Sequence, residues 1–168
     1  VVQDLDGWIR HLARTHDKRV EDLLVMASGL DALLLAVWVH DYAPRIRAMV
    51  LAAPRFQITS AAQAGAEPFL ASRAQRKMYR YTAGRIVADA AAIRVPTLLL
   101  EPERDAAAGT SPLQTFFERL QAPLKRRKVF PGGEQDLASA AGSESVRDEV
   151  RQFVSDMFRH DTARRPLL

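Results

Sequence analysis

Cysteine is absent from the 168 residues, which removes disulfides, thiolate metal sites and a cysteine nucleophile at once. Long apolar runs are missing too. The longest wholly apolar run, residues 32–39 within the uncharged stretch 32–40, falls far short of the roughly 20 residues that a membrane-spanning helix needs. No succession of basic, apolar and small residues opens the chain as a secretory signal would. A glycine-rich phosphate loop after a strand does not occur, nor does a cluster of histidines or carboxylates at metal-ligand spacing. The expectation is therefore a cytoplasmic protein with no cofactor, no metal and no membrane span.

What is present is ordinary for a packed domain: 48% apolar and 26% charged residues. A chain of this length buries roughly 70% of its unfolded surface on folding, enough for one core. The formal charge is +4. Much of the arginine falls in residues 73–85 and in Lys125-Arg126-Arg127-Lys128. Both clusters interleave with apolar residues at helix or strand spacing, which predicts a solvated helix face and a strand end rather than a nucleic-acid or phosphate patch.

The chain is organised around residues 21–53. A short apolar run, Leu23-Leu24-Val25-Met26-Ala27, predicts a strand buried on both faces. The corner Ser28-Gly29-Leu30-Asp31 follows, then a covered helix ended by Pro44, then a second buried strand over 46–53. Before this unit, Val2, Leu5, Trp8, Ile9 and Leu12 recur at helical spacing, so residues 1–16 predict an amphipathic helix. That helix begins without a cap and with its apolar face ready, the first hint of a fragment.

After the unit, residues 55–67 read as an irregular connection, and 69–90 as one or two helices with Gly84 a possible break. A third strand covers 97–100, followed by a polar loop over 101–110. Ser111 and Pro112 mark a helix start. A fourth strand over 124–130 ends at Pro131-Gly132-Gly133, a last helix spans about 144–159, and the tail, 161–168, is expected to be flexible. Strands alternating with helices predict an α/β three-layer sandwich, about four parallel strands covered by helices on both faces. In such sheets function sits at the carboxyl ends of the strands.

Several stretches carry a resemblance. They are Trp38-Val39-His40-Asp41-Tyr42-Ala43-Pro44-Arg45-Ile46-Arg47-Ala48-Met49-Val50-Leu51-Ala52-Ala53-Pro54, then Arg85-Ile86-Val87-Ala88-Asp89-Ala90-Ala91-Ala92-Ile93, then Phe116-Phe117-Glu118-Arg119-Leu120, then Phe130-Pro131-Gly132. In this order they resemble the second half of the α/β-hydrolase fold, in its lysophospholipase-like and monoglyceride-lipase-like branch of serine hydrolases. The resemblance implies one truncated domain over residues 1–160, with 55–92 a reduced cap or connection.

It also implies three catalytic positions: a serine on a strained strand-to-helix turn, an acid after a later strand and a histidine after the last. Counted back from Trp38, the serine position falls on Gly29 and the second glycine of the turn on Asp31. The acid position falls on Asp105 and the histidine position on Gln135, which cannot carry a proton near neutral pH. One residue of slippage would make Ser28 the nucleophile, between Met26 and Leu30; its plainer reading is a helix cap. His11, His16, His40 and His160 are assigned surface or capping roles. The second oxyanion donor would come from a loop after an earlier strand, which the resemblance does not reach.

The leading expectation is thus a degenerate, non-catalytic hydrolase-like domain used in binding or assembly. A first alternative is an esterase or lysophospholipase completed by a further segment or partner, with Ser28 and Asp105 in its triad. A second is a lipid or small-molecule binding module using a pocket beneath residues 55–81. The outer edge of the strand from Leu23 to Ala27 and the first helix are the expected surface for a homodimer or a larger protein.

Overall fold

The computed structural model describes residues 2–57, 70, 72–103, 111–132 and 140–164. The elements alternate as anticipated: α1 (Val2–Thr15), β1 (Leu24–Ser28), α2 (Gly29–Tyr42), β2 (Ala48–Ala52), α3 (Arg73–Ala88), β3 (Thr97–Pro102), α4 (Pro112–Arg119), β4 (Lys125–Phe130) and α5 (Ala140–Arg164). The four strands form one sheet in the order β1-β2-β3-β4, and every neighbouring pair is parallel. Three short apolar runs without polar interruption could pair only with others like themselves in a sheet covered on both sides.

The period-two alternation of the strands sorts the core. Met49, Leu51 and Leu99 pack with α1, α2, α3 and α4 on one face. Ala48, Val50, Leu98 and Leu100 pack with Phe153 and Met157 of α5 on the other. Among the described residues, four helices thus cover one side and a single helix the other. Helix α2 is buried along most of its length, which is why its sequence shows little polar face.

Helix α1 is tied down by more than apolar contact. The indole N–H of fully buried Trp38 donates to Asp6 Oδ1 at 3.0 Å, while Arg10 Nε donates to Asp6 Oδ2 at 2.8 Å. The arginine holds the Asp6 carboxyl below its usual range. Asp6→Ala leaves the indole N–H buried without an acceptor, so a loss of about 1–3 kcal/mol is expected, with Asp6→Asn losing less. Urea unfolding of the two variants checks the order; equal stabilities would sink it.

Several expectations need correction. Strand β1 is not buried on both faces: Leu24 packs partly against the α5 cluster, but Met26, two residues further along the same face, is 47% exposed. Gly84 does not break α3, which continues through it to Ala88; one exposed glycine costs only about 1 kcal/mol, which the buried Tyr79, Ala83 and Ile86 outweigh. Strand β3 runs two residues further than Leu100, because Glu101 and Pro102 still pair with Val129 and Phe130. The last helix starts at Ala140 and extends to Arg164, past both expected bounds; no glycine or proline occurs between Gly142 and Pro166 to stop it at the carboxyl end. Its extension takes 161–164 out of the expected tail.

Candidate functional site

The carboxyl ends of β1 to β4 lie along one edge of the sheet, and the backbone turns sharply there. Gly29, immediately after β1, has φ 56°; Ala53, after β2, has φ 44°; Gly132, after β4, has φ 87°. Glycine takes such values freely. For alanine the same region costs on the order of 1 kcal/mol, so Ala53 is held by its surroundings. Its N–H donates to the Leu100 carbonyl at 2.7 Å.

The corner at Gly29 is fixed from outside as well. The Gly29 carbonyl accepts the Arg55 N–H at 2.9 Å, and the hydroxyl of buried Tyr79 on α3 donates to the Arg55 carbonyl. Strand β1, the chain after β2 and helix α3 therefore meet at this turn. Ser28 stands at the cap position of α2 with extended backbone, φ −125° and ψ 158°, yet its side chain makes no capping hydrogen bond. The expected cap is thus not formed: a cap needs helical backbone in the first turn, and the left-handed Gly29 interrupts it.

Of the anticipated site residues, Ser28 and Gly29 lie together at this corner. Asp105 and Gln135 lie outside the described residues. His40 is at the far end of α2, eleven residues or roughly 16 Å along the helix from Gly29. Among the described residues, no group of three His, Asp or Glu side chains could hold a metal ion, and no helix is long and apolar enough to cross a membrane.

Charge near the sheet is largely committed to internal partners. On β4, Lys125 Nζ donates to the carbonyls of Phe117, Glu118 and Leu120 at the end of α4. Arg126 reaches Glu149 and Asp156 on α5, and Arg127 meets Glu101 at 2.6 Å. The expectation of a solvated strand end is corrected for these three, whose positions alternate between the two helical layers.

Arg85, also taken as part of a solvated face, instead grips Asp41 with both guanidinium nitrogens, at 2.7 and 3.0 Å. His40 Nδ1 lies 2.6 Å from the same carboxylate. Arg85 is the main reason that the Asp41 pKa falls to about 2. Because the folded value lies below the unfolded one, the resulting stability is complete above about pH 4 and is lost as pH falls toward 2. About a third of Asp41 is exposed, and solvent screening leaves about 1 kcal/mol. Asp41→Asn should flatten this part of the acid-unfolding curve; an unchanged curve would discard the assignment.

Two apolar hollows flank the corner. One, of about 360 Å3, lies between α2 and α3 and is lined by Leu30, Leu33, Leu34, Leu70, Met78 and Tyr79 among others. The second, of about 380 Å3, lies between α1 and β1, with Trp8, Ile9, Leu12, Leu23 and Met26 in its lining. Strand β1 has no neighbour on its outer side among the described residues.

No protein-family model matches the chain. Over 197 aligned positions covering 94% of it, the chain is 28% identical to the uncharacterized protein YnbC of Escherichia coli (strain K12). It spans about a third of that relative, 34% of its length. Among solved structures it is similar to a monoacylglycerol lipase of Paleococcus ferrophilus, with TM-score 0.66, 18% identity and coverage of 92% of this chain and 74% of that one. It is also similar to the esterase Pf2001 of Pyrococcus furiosus, with TM-score 0.63, 16% identity and coverage of 92% and 61%. MenH from S. aureus matches at TM-score 0.59 and 12% identity, covering 90% of this chain and 74% of that one. At these identities the likeness to solved structures is one of fold.

Proposed function

We propose that this chain, which has part of an α/β-hydrolase fold, is a non-catalytic hydrolase-like domain that serves in binding or assembly. The observation that carries the reading is Gly29. It is buried, directly follows β1 and opens α2 at φ 56°. A left-handed residue between strand and helix suits the turn on which the fold presents its nucleophile. Here that residue has no side chain.

Ser28 is a poor substitute. Along β1, Val25 and Ala27 pack on the α2 side and Leu24 on the α5 side. By alternation Ser28 belongs with Leu24, turned away from the helical layer that α2 opens. The distance to His40 removes the only histidine on α2 as its base. Gln135 in place of a histidine adds a second defect in the sequence, and loss of a nucleophile or base lowers the rate by about 10⁶-fold.

The test is hydrolysis of short-chain p-nitrophenyl esters together with labelling by a fluorophosphonate probe. The expected results are rates equal to buffer and no label. Hydrolysis that disappears in Ser28→Ala would reinstate the esterase reading, with a histidine supplied by another segment or partner.

The assembly role rests on β1. Its outer edge and the adjoining hollow under Trp8 and Met26 suit a strand added from a second copy of the chain or from a larger protein. A second reading, a small-molecule or lipid-binding module, is favoured by the hollow between α2 and α3, whose lining is almost wholly apolar. Single-chain amphiphiles should then raise the melting temperature, and no shift across a range of chain lengths would discard it.

A further inference from the structure

Helix α3 carries five cations, Arg73, Arg76, Lys77, Arg80 and Arg85, and no acidic residue. Arg85 is held by Asp41, and Arg76 donates to the Leu70 carbonyl. Arg73, Lys77 and Arg80 are exposed and make no ion pair among the described residues. At 100° per residue these three fall within one sector of about 60°, centred roughly 120° around the helix from the buried Tyr79, Ala83 and Ile86. Tyr81 and Met78 continue the exposed surface on one side of that sector, and they are 71% and 67% exposed. Met78 also lines the apolar hollow that descends to Leu30, Leu33 and Leu34 of α2. Cations thus stand over one flank of the helix and an open apolar strip over the next.

We propose that this face of α3 docks on an anionic phospholipid bilayer. Three exposed cations on one helical sector attract the negative surface of such a membrane, each favouring binding by several-fold. The strip of Tyr81 and Met78 enters the interface between headgroups and acyl chains, where an aromatic ring with a polar end and a flexible thioether are both accommodated. A nucleic acid would use the cations but has no use for an apolar hollow walled by leucines. On the two helices that form the hollow, and at their caps, the acidic residues are exposed Asp31 beside Leu30, exposed Asp89 at the carboxyl end of α3, and Asp41, which is committed to Arg85. This contact does not depend on the catalytic reading. It shares the hollow with the small-molecule reading but needs an extended surface rather than a single ligand.

The test is sedimentation of the full chain with vesicles of phosphatidylcholine alone and of phosphatidylcholine with phosphatidylserine, at low ionic strength, with a single-stranded oligonucleotide assayed in parallel. Binding is expected only to the vesicles that contain phosphatidylserine. Arg73→Gln combined with Lys77→Gln and Arg80→Gln should weaken it about 100-fold. Met78→Ser with Tyr81→Ser should weaken it about 10-fold or more without altering any oligonucleotide binding. All five positions are exposed, so unchanged far-ultraviolet circular dichroism is expected of both variants. Absence of vesicle binding overturns the proposal. So does binding that is indifferent to phosphatidylserine, or oligonucleotide binding as tight as vesicle binding and untouched by the Met78 and Tyr81 changes. A melting shift with a monomeric amphiphile and no vesicle binding would overturn it while leaving the small-molecule reading intact.

Discussion

Arg127→Leu should destabilise the domain by about 3–5 kcal/mol, the largest loss expected of any single charged side chain here. Its partner Glu101 is fully buried near the end of β3. One carboxylate oxygen meets Arg127 at 2.6 Å, and the other, Oε1, is buried without a hydrogen-bond partner among the described residues. Removing the guanidinium leaves a buried carboxylate with nothing to offset its lost hydration. The melting temperature should fall by roughly 10 °C. Glu101→Leu should cost far less, because Arg127 retains 26% exposure and can turn to water. The double variant, with both charges replaced by leucine, should recover most of the loss or exceed the native stability, as replaced buried ion pairs often do. Thermal unfolding followed by circular dichroism ranks the four proteins. An Arg127→Leu domain within about 1 kcal/mol of native would mean that the pair carries no such strain.

That pair also shows where sequence reasoning stopped. The parallel sheet was legible because Met49-Val50-Leu51 and Leu98-Leu99-Leu100 have no polar residue to give to solvent, and the structure buries all six. The start of α4 was legible from local chemistry: Ser111 accepts the Gln114 N–H and Pro112 occupies the first turn. By its sequence Glu101 opens a polar loop. Its burial depends on Arg127, 26 positions away, and nothing near Glu101 signals that contact. Arg85 and Asp41 are 44 positions apart, and neither carries a local sign of the other for the same reason. An apolar run likewise reports that a strand can be covered, not that a neighbour covers it, and so the exposure of Met26 was missed. Gly29 was legible because counting from Trp38 reaches a residue that alone takes φ 56° without strain. The other two positions, Asp105 and Gln135, have only the sequence to speak for them.

Met26→Pro should abolish association through β1 while leaving the sheet intact. The Leu23 carbonyl accepts the Arg47 N–H at 2.9 Å, so Leu23 directs its backbone groups toward β2. Direction alternates along a strand; Val25 and Ala27 therefore share that side, and Leu24 and Met26 point their N–H and C=O groups outward. A proline at position 26 removes an outward donor and places its ring where an added strand would lie, yet no β1–β2 bond is lost. Native protein is expected to show a concentration-dependent mass by light scattering, and Met26→Pro a dissociation constant raised by about 10²-fold or more. Met26→Lys, which keeps the N–H but sets a charge on the exposed side chain, should weaken association less, because strand addition is made chiefly by the backbone. If the two variants weaken it equally, the contact is one of side chains, and the hollow under Trp8 rather than the strand edge is the binding surface. A native protein that stays monomeric at all concentrations would remove the second copy as a partner and leave only a different protein to pair with β1.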